Sequence, residues 1–236
     1  MTSYARGGAE LTLGTMSHPS RPKSPLWVIV LGLACEEPMH PYRMQTLIRQ
    51  RGKDHVANVA QRNSVYQTID ALVRAGLLAA RGTSRDENRP ERTIYEATTA
   101  GRAALREWIR TGLSTPAREF PEFPAVLSTV FGIDGPADFA ALLTARADLL
   151  EARREELEQE YPGLPRLFLL ENEYMAAMTR AEIKWLRGVI ADLESGRLDY
   201  PTEEELRAIS TQIGGPSDEA IREFVAGRMR EKTDRP

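Results

Sequence analysis

Residues 59–76 read Val-Ala-Gln-Arg-Asn-Ser-Val-Tyr-Gln-Thr-Ile-Asp-Ala-Leu-Val-Arg-Ala-Gly. Val65, Ile69, Leu72 and Val73 fall at i, i+4, i+7 and i+8, the apolar stripe of a helix laid on a core. The opposite face carries Asn63, Gln67, Asp70 and Arg74, and its N-terminal end adds Gln61, Arg62, Ser64 and Tyr66. The pattern predicts a helix from about 59 to 75, stopped by Gly76. Its underside is apolar and its outer side offers amide, hydroxyl and guanidinium groups.

Upstream, Pro25 precedes the compact apolar run Leu26–Ala34, which suits a buried first helix and is too short to span a bilayer. His40-Pro41-Tyr42 opens a second helix through about Gln50, with Tyr42, Met44, Leu47 and Ile48 inward. Downstream, Leu77–Arg81 and Arg92–Ala97 read as two strands. The Gly- and Pro-punctuated stretch between them makes a long-looped hairpin. Thr98 or Thr99 then caps a fourth helix with Ala104, Leu105, Trp108 and Ile109 on one face. Three helices followed by a hairpin, with the third helix polar outside, predict a winged helix-turn-helix.

The expected organisation is a disordered tail over 1–24, the winged helix-turn-helix over 25–111, and a connector over 112–135 with a short helix at Ala125–Phe131. A helical region follows over 136–198, and an acidic, polar tail over 199–236 with a short helix at Ser217–Met229. Within the helical region, one helix ends near Glu160 with Phe139, Leu142, Leu143, Leu149, Leu150 and Leu157 in its stripe. A second runs from about Pro165 to Ser195, with Leu167, Leu170, Tyr174, Ala177, Ala181 and Trp185 spaced 3-4-3-4-4, extended by Met178, Val189 and Leu193. Two antiparallel helices cannot bury such stripes fully on each other, so a partner is expected. The fold class is mainly α with a small β-hairpin: an N-terminal winged helix-turn-helix, then an antiparallel helical dimerisation region.

The net charge of −3 is unevenly spread: residues 1–115 carry +6 and residues 116–236 carry −9. A basic half joined to an acidic half suits a polyanion-binding module fused to something else. Cys35 is the single cysteine, and the three histidines, His18, His40 and His55, form no ligand pair, which argues against a metal centre. Glu155, Glu156, Glu158 and Glu160 follow Arg153 and Arg154 and read as a solvated, ion-paired face. No G-x-S-x-G, P-loop or G-x-G-x-x-G occurs, so neither an enzyme nor a bound cofactor is expected. With no long apolar stretch and no basic-then-apolar leader, the expected location is cytoplasmic.

Double-stranded DNA is the partner these residues suit. Gln61, Arg62, Asn63, Ser64 and Gln67 can reach base edges or phosphates, and Tyr66 can reach a phosphate through its hydroxyl. Arg81, Arg85, Arg89 and Arg92 on the wing suit phosphates or a narrow minor groove. His40 is expected to cap the second helix, with a phosphate contact as its other reading, and Tyr42 divides between core and phosphate. Trp108, Tyr174, Met178 and Trp185 are candidates to line a pocket for a small aromatic effector, with plain core packing as the competing reading. A winged-helix protein-interaction module without DNA binding is the alternative function.

The sequence also resembles the PadR family of bacterial transcriptional regulators. The resemblance rests on Leu31-Gly32-Leu33, Pro38-Met39-His40-Pro41-Tyr42, Ser64-Val65-Tyr66, Leu72 with Gly76-Leu77-Leu78, Arg89-Pro90-x-Arg92, Tyr95, Thr98 and Gly101, over about residues 25–110. Pro41 stands where that family usually has Gly, as do Asn63 and Asn88, and Ala97 stands where it has Leu. The resemblance implies a homodimeric repressor, released from DNA in some members by a phenolic acid or another small molecule. A two-fold dimer would place two recognition helices about 34 Å apart on a palindrome.

Overall fold

A computed structural model describes residues 21–59, 63–84, 92–130, 133, 135–213, 215, 217–223 and 225. The chain divides into two compact units, Met1–Arg118 and Glu119–Pro236. Residues 1–20 of the tail predicted over 1–24, and the loop tip at 85–91, lie outside the described residues.

In the first unit, α1 (Pro25–Glu36) and α2 (Pro41–Gln50) each begin with a proline in the first turn, where its missing N–H costs nothing. His40 caps α2, its Nδ1 accepting the Arg43 N–H at 3.0 Å. A 3-10 turn at Lys53–His55 leads toward α3 (Ser64–Arg74). Helix α3 is therefore shorter than expected. Val59 is not helical; it packs on the core from the connector, where its apolar side chain mimicked the start of the stripe. At the other end Gly76, with φ of 70°, closes α3 as a Schellman turn, its N–H reaching Val73 O and the Leu77 N–H reaching Leu72 O, both at 2.9 Å.

Strands β1 (Leu78–Ser84) and β2 (Arg92–Ala97) pair antiparallel, with a bulge between Ala80 and Gly82. Met39 pairs with Tyr95 through two 3.0 Å backbone bonds, which pins the hairpin to the turn before α2. Helix α4 (Thr99–Ser114) follows, capped by Thr98. The core gathers Val30, Leu31, Met44, Ile48, Val65, Ile69, Leu72, Leu77, Leu78 and Trp108. Three residues expected inward lie outside it: Tyr42, Val73 and Ile109 are exposed, and Thr68 takes the inward place beside Ile69.

The Thr98 hydroxyl accepts the Gly101 N–H at 2.9 Å and donates to the Gly76 carbonyl at 2.7 Å, so it joins the start of α4 to the end of α3. Thr98→Ala is expected to cost about 1–2 kcal/mol, the range of a lost N-cap, measured as a lowered urea midpoint with unchanged slope.

In the second unit, α5 (Glu122–Leu127) starts and ends earlier than the expected helix at Ala125–Phe131, whose Phe131 lies outside the described residues. Helix α6 (Pro136–Leu157) and α7 (Leu170–Glu194) form a hairpin, with a 3-10 turn at Arg166–Leu169 where α7 was expected to begin. The ion pairs Glu158–Arg180 and Glu151–Arg187 step in opposite directions along the two helices, as antiparallel helices require. Ala140, Leu143, Ala147, Leu186 and Leu193 form the shared core.

The face that α7 buries is the expected one only at its C-terminal end, where Leu193 is buried and Val189 packs beside it. Ala176, Thr179, Ile183, Leu186 and Leu193 point inward. Leu167, Leu170, Tyr174 and Trp185 of the expected stripe, with Met178, are exposed instead, as are Leu142 and Leu149 of α6. The region after Tyr200 is also more ordered than a tail. Helix α8 (Glu203–Ile213) occupies it, residues 218–223 and 225 are helical, and Ile221 is fully buried. The Tyr200 hydroxyl donates to the Val130 carbonyl at 3.2 Å.

Candidate nucleic-acid interface

Helix α3 turns its apolar side to α1 and α2, so its opposite side is free for a ligand. Asn63 and Gln67 are exposed there, with Tyr66 44% exposed and Ser64 half-buried. Gln61 and Arg62 lie outside the described residues. Amides and a phenol on the outer face of a helix carried by a rigid core have the reach that major-groove readout needs.

The wing stem supplies two of the four expected arginines. Arg81 is exposed and meets Glu96 across the hairpin at 3.5 Å. Arg92 holds its guanidinium 5.4 Å from the Tyr42 ring centroid, and the His40 ring lies 6.2 Å from Tyr42 on a nearly parallel plane. His40, Tyr42 and Arg92 are thus brought together where the wing meets α2, and Tyr42 is 56% exposed rather than packed in the core. Arg85 and Arg89 lie outside the described residues.

The connector between α2 and α3 adds basic groups that the sequence reading passed over. Arg49, Asp54, His55 and Asn58 line a concave surface of about 500 Å3 shortly before α3. Lys53 stands in the same turn, its amine held below the usual lysine range, chiefly by burial and then by repulsion from Arg51. Arg51 is anchored by both oxygens of Glu36 at 2.8 Å, which keeps its charge firmly in place. The available signal was four basic side chains within Arg49–His55, the turn of a helix-turn-helix, which lies close to a backbone when the next helix enters a groove.

Of the effector candidates, Trp108 fills the core of the first unit, 4% exposed and 6.1 Å from Trp27 between ring centroids. Tyr174, Met178 and Trp185 lie on the exposed side of α7 in the second unit. Cys35 is half-buried, and burial pushes its thiol up, so it behaves as a small apolar residue. Of the acidic residues read as an ion-paired face, Glu158 pairs with Arg154 and Arg180.

Helix-turn-helix plus a hairpin, with the polar side of the third helix outward, defines a winged helix-turn-helix of the DNA-binding class. Residues 30–107 match the family described as "Transcriptional regulator PadR-like family", and the chain carries a domain of that family. The fold agrees with solved structures. Bacillus subtilis PadR in complex with operator DNA superposes with a TM-score of 0.55 at 16% identity, covering 71% of this chain and 98% of that one. The same protein with p-coumaric acid gives 0.52 at 14%, covering 72% and 98%. A PadR-like transcriptional regulator of Bacillus cereus gives 0.50 at 16%, covering 72% and 99%. No curated protein sequence matches this chain. Among the described residues no helix is long and apolar enough to cross a membrane.

Proposed function

We propose that this chain is a cytoplasmic, dimeric transcriptional repressor without enzymatic activity. It binds a palindromic operator through α3 and the wing and leaves it when a small aromatic effector binds. The observation that carries the DNA reading is the division of α3: Val65, Ile69 and Leu72 are buried while Asn63, Tyr66 and Gln67 face out. His40, Tyr42 and Arg92 then supply phosphate contacts beside the helix, and the connector cations add more. The exposed stripe of α7 supports the dimer, because so much apolar surface on a two-helix hairpin is typical of an interface. The two solved complexes, one of PadR with operator DNA and one with p-coumaric acid, support the DNA and effector readings by likeness of fold.

A mobility-shift titration with the promoter of its own gene and its neighbours tests the reading. Binding to no duplex in low salt, where phosphate attraction is strongest, would overturn it. Asn63→Ala is expected to weaken specific binding by about 1–3 kcal/mol and to leave random DNA nearly unaffected, as a base contact should. Equal loss on both DNAs would place Asn63 on phosphate only.

A further inference from the structure

The α6–α7 hairpin carries two concave surfaces that share one side chain, Arg180. The first, about 730 Å3, lies at the turn end, with an apolar floor of Leu157, Ala176 and Ala177 and a rim that includes Tyr161, Asn172 and Glu173. Leu157 and Ala176 are buried, Asn172 is half-buried and Tyr161 is 44% exposed. That volume lies in the range of small-molecule sites, roughly 300–1,000 Å3. The second surface, about 440 Å3, is lined by Glu151 and Arg154 of α6 and by Arg180, Ile183, Lys184 and Arg187 of α7.

Arg180, Lys184 and Arg187 follow i, i+4 and i+7, so they form one row along α7. At about 100° of turn per residue, that row is on a different side of the helix from Tyr174, Met178 and Trp185. Carboxylates of α6 hold the guanidiniums: Glu151 holds Arg187, Glu158 holds Arg180, and Arg154 sits between these two acids at 2.8 and 3.1 Å. Each contact uses a single nitrogen of the row, Nη2 of Arg187 and Nη1 of Arg180, and leaves their other N–H groups unspent among the described residues. Glu155 also acts on the Arg154 charge. Four cations therefore face three carboxylates, and the surplus is Lys184, which has no hydrogen-bond or ion-pair partner among the described residues. A free ammonium between two oriented guanidiniums suits an extended anion with many acceptor oxygens. From Arg180 to Arg187 the helix rises about 10 Å, too far for one phosphate group to bridge and suited to a chain of two or three.

We propose that the two surfaces form one site for a nucleoside di- or triphosphate, its phosphates along Arg180, Lys184 and Arg187 and its base over the apolar floor against Tyr161. The Asn172 amide, a donor and an acceptor together, meets the base edge. An aromatic ring beside an apolar floor favours a base, since every base offers a flat face to stack. The charges set the direction of the ligand. Glu158, Glu160 and Glu173 stand around the first surface and repel phosphate there, while the cations of α7 draw it toward Arg187. The site lies wholly within the second unit and depends on neither the operator nor the effector reading.

The test is calorimetric titration of the full chain, at fixed ionic strength, with ATP and GTP, each against its nucleoside and against tripolyphosphate. At least one nucleotide is expected to bind about tenfold tighter than either of its parts, at one per chain. Tyr161→Ala should weaken that nucleotide about tenfold, as the loss of one base–aromatic stack does, and leave tripolyphosphate unchanged. Lys184→Gln should weaken the nucleotide about tenfold and Lys184→Arg should retain it, both with the wild-type circular dichroism spectrum. No nucleotide binding, equal affinity for nucleotide and tripolyphosphate, or full nucleotide affinity in Tyr161→Ala or Lys184→Gln would each overturn the site. A nucleotide that promoter duplex displaces and that ignores Lys184→Gln would belong to the DNA-binding unit instead, which also overturns it.

Discussion

Replacing Met178 by glutamate is expected to convert the protein to a monomer in sedimentation velocity and to lower operator affinity about 10²- to 10⁴-fold, the advantage that joining two binding modules confers. Met178 lies 51% exposed in the middle of the outward stripe of α7, between Tyr174 and Trp185, themselves 66% and 47% exposed. The hairpin's own core is on the opposite side, at Ala176, Thr179, Ile183 and Leu186. A charge at 178 therefore leaves the monomer's packing alone. In a two-fold interface it would face apolar surface with no counterion and would be present twice, so its effect doubles. Binding to random DNA at low salt should fall far less, since each recognition surface stays intact. A variant that sediments as a dimer and binds its operator unchanged would move the interface elsewhere. Lys184→Glu, on the same helix but outside the stripe, is the matched control and should do neither.

The same helix shows where sequence reasoning reaches its limit. Periodicity gave α7 and its approximate ends, because apolar residues recur at helical spacing over 25 residues. It could not say which stripe faces α6. The large side chains Leu170, Tyr174, Met178 and Trp185 dominate the pattern, yet the buried side uses Ala176 and Thr179, small enough for close helix approach, with the Thr179 hydroxyl satisfied by the Met175 carbonyl at 2.9 Å. Helix α8 was hidden for another reason. Glu203, Glu204 and Glu205 read as an acidic tail, but Thr202 and Glu205 form a capping box, with the Thr202 N–H donating to Glu205 Oε2 at 2.8 Å and the Glu205 N–H to Thr202 Oγ1 at 3.2 Å. The Thr202 N–H and, at 2.9 Å, the Thr202 hydroxyl both donate to Glu205 Oε2 and hold its carboxyl below its ordinary range, and the Thr-x-x-Glu spacing was the signal for the box. In the first unit the prolines, His40, Gly76 and Thr98 mark element ends by local chemistry, so α1, α2, the hairpin and α4 were legible. The candidate interface was legible as residue types on the outer side of α3. The Arg92–Tyr42–His40 cluster was not, since it depends on Met39 pairing with Tyr95, a contact between residues far apart in sequence.

Gly101→Ala is expected to be among the most damaging small substitutions in the first unit, although alanine favours a helix. A β-carbon built at Gly101 falls 2.1 Å from the Leu77 carbonyl oxygen and 3.2 Å from Leu31 Cδ1. The oxygen is backbone, fixed as acceptor for the Thr98 N–H at 3.1 Å, so it cannot swing aside as a flexible side chain would. Relief requires α4 to back away from the corner between α3 and β1, opening the core around Leu31 and Leu77, both fully buried. Overpacking of this kind costs about 1–3 kcal/mol, occasionally more. For a domain of this size each kcal/mol lowers Tm by roughly 4–8 °C. The same exchange at Gly32, inside α1 with nothing within 4 Å of its added carbon, should instead raise stability by about 0.5–1 kcal/mol through helix propensity alone. Opposite signs for one chemical change, read by thermal unfolding of the two variants, would tie the glycine at 101 to the close approach of α4. If Gly101→Ala melted at or above the wild-type temperature, α4 could not be packed against the Leu77 carbonyl, and it could not be the support of the corner between α3 and the wing.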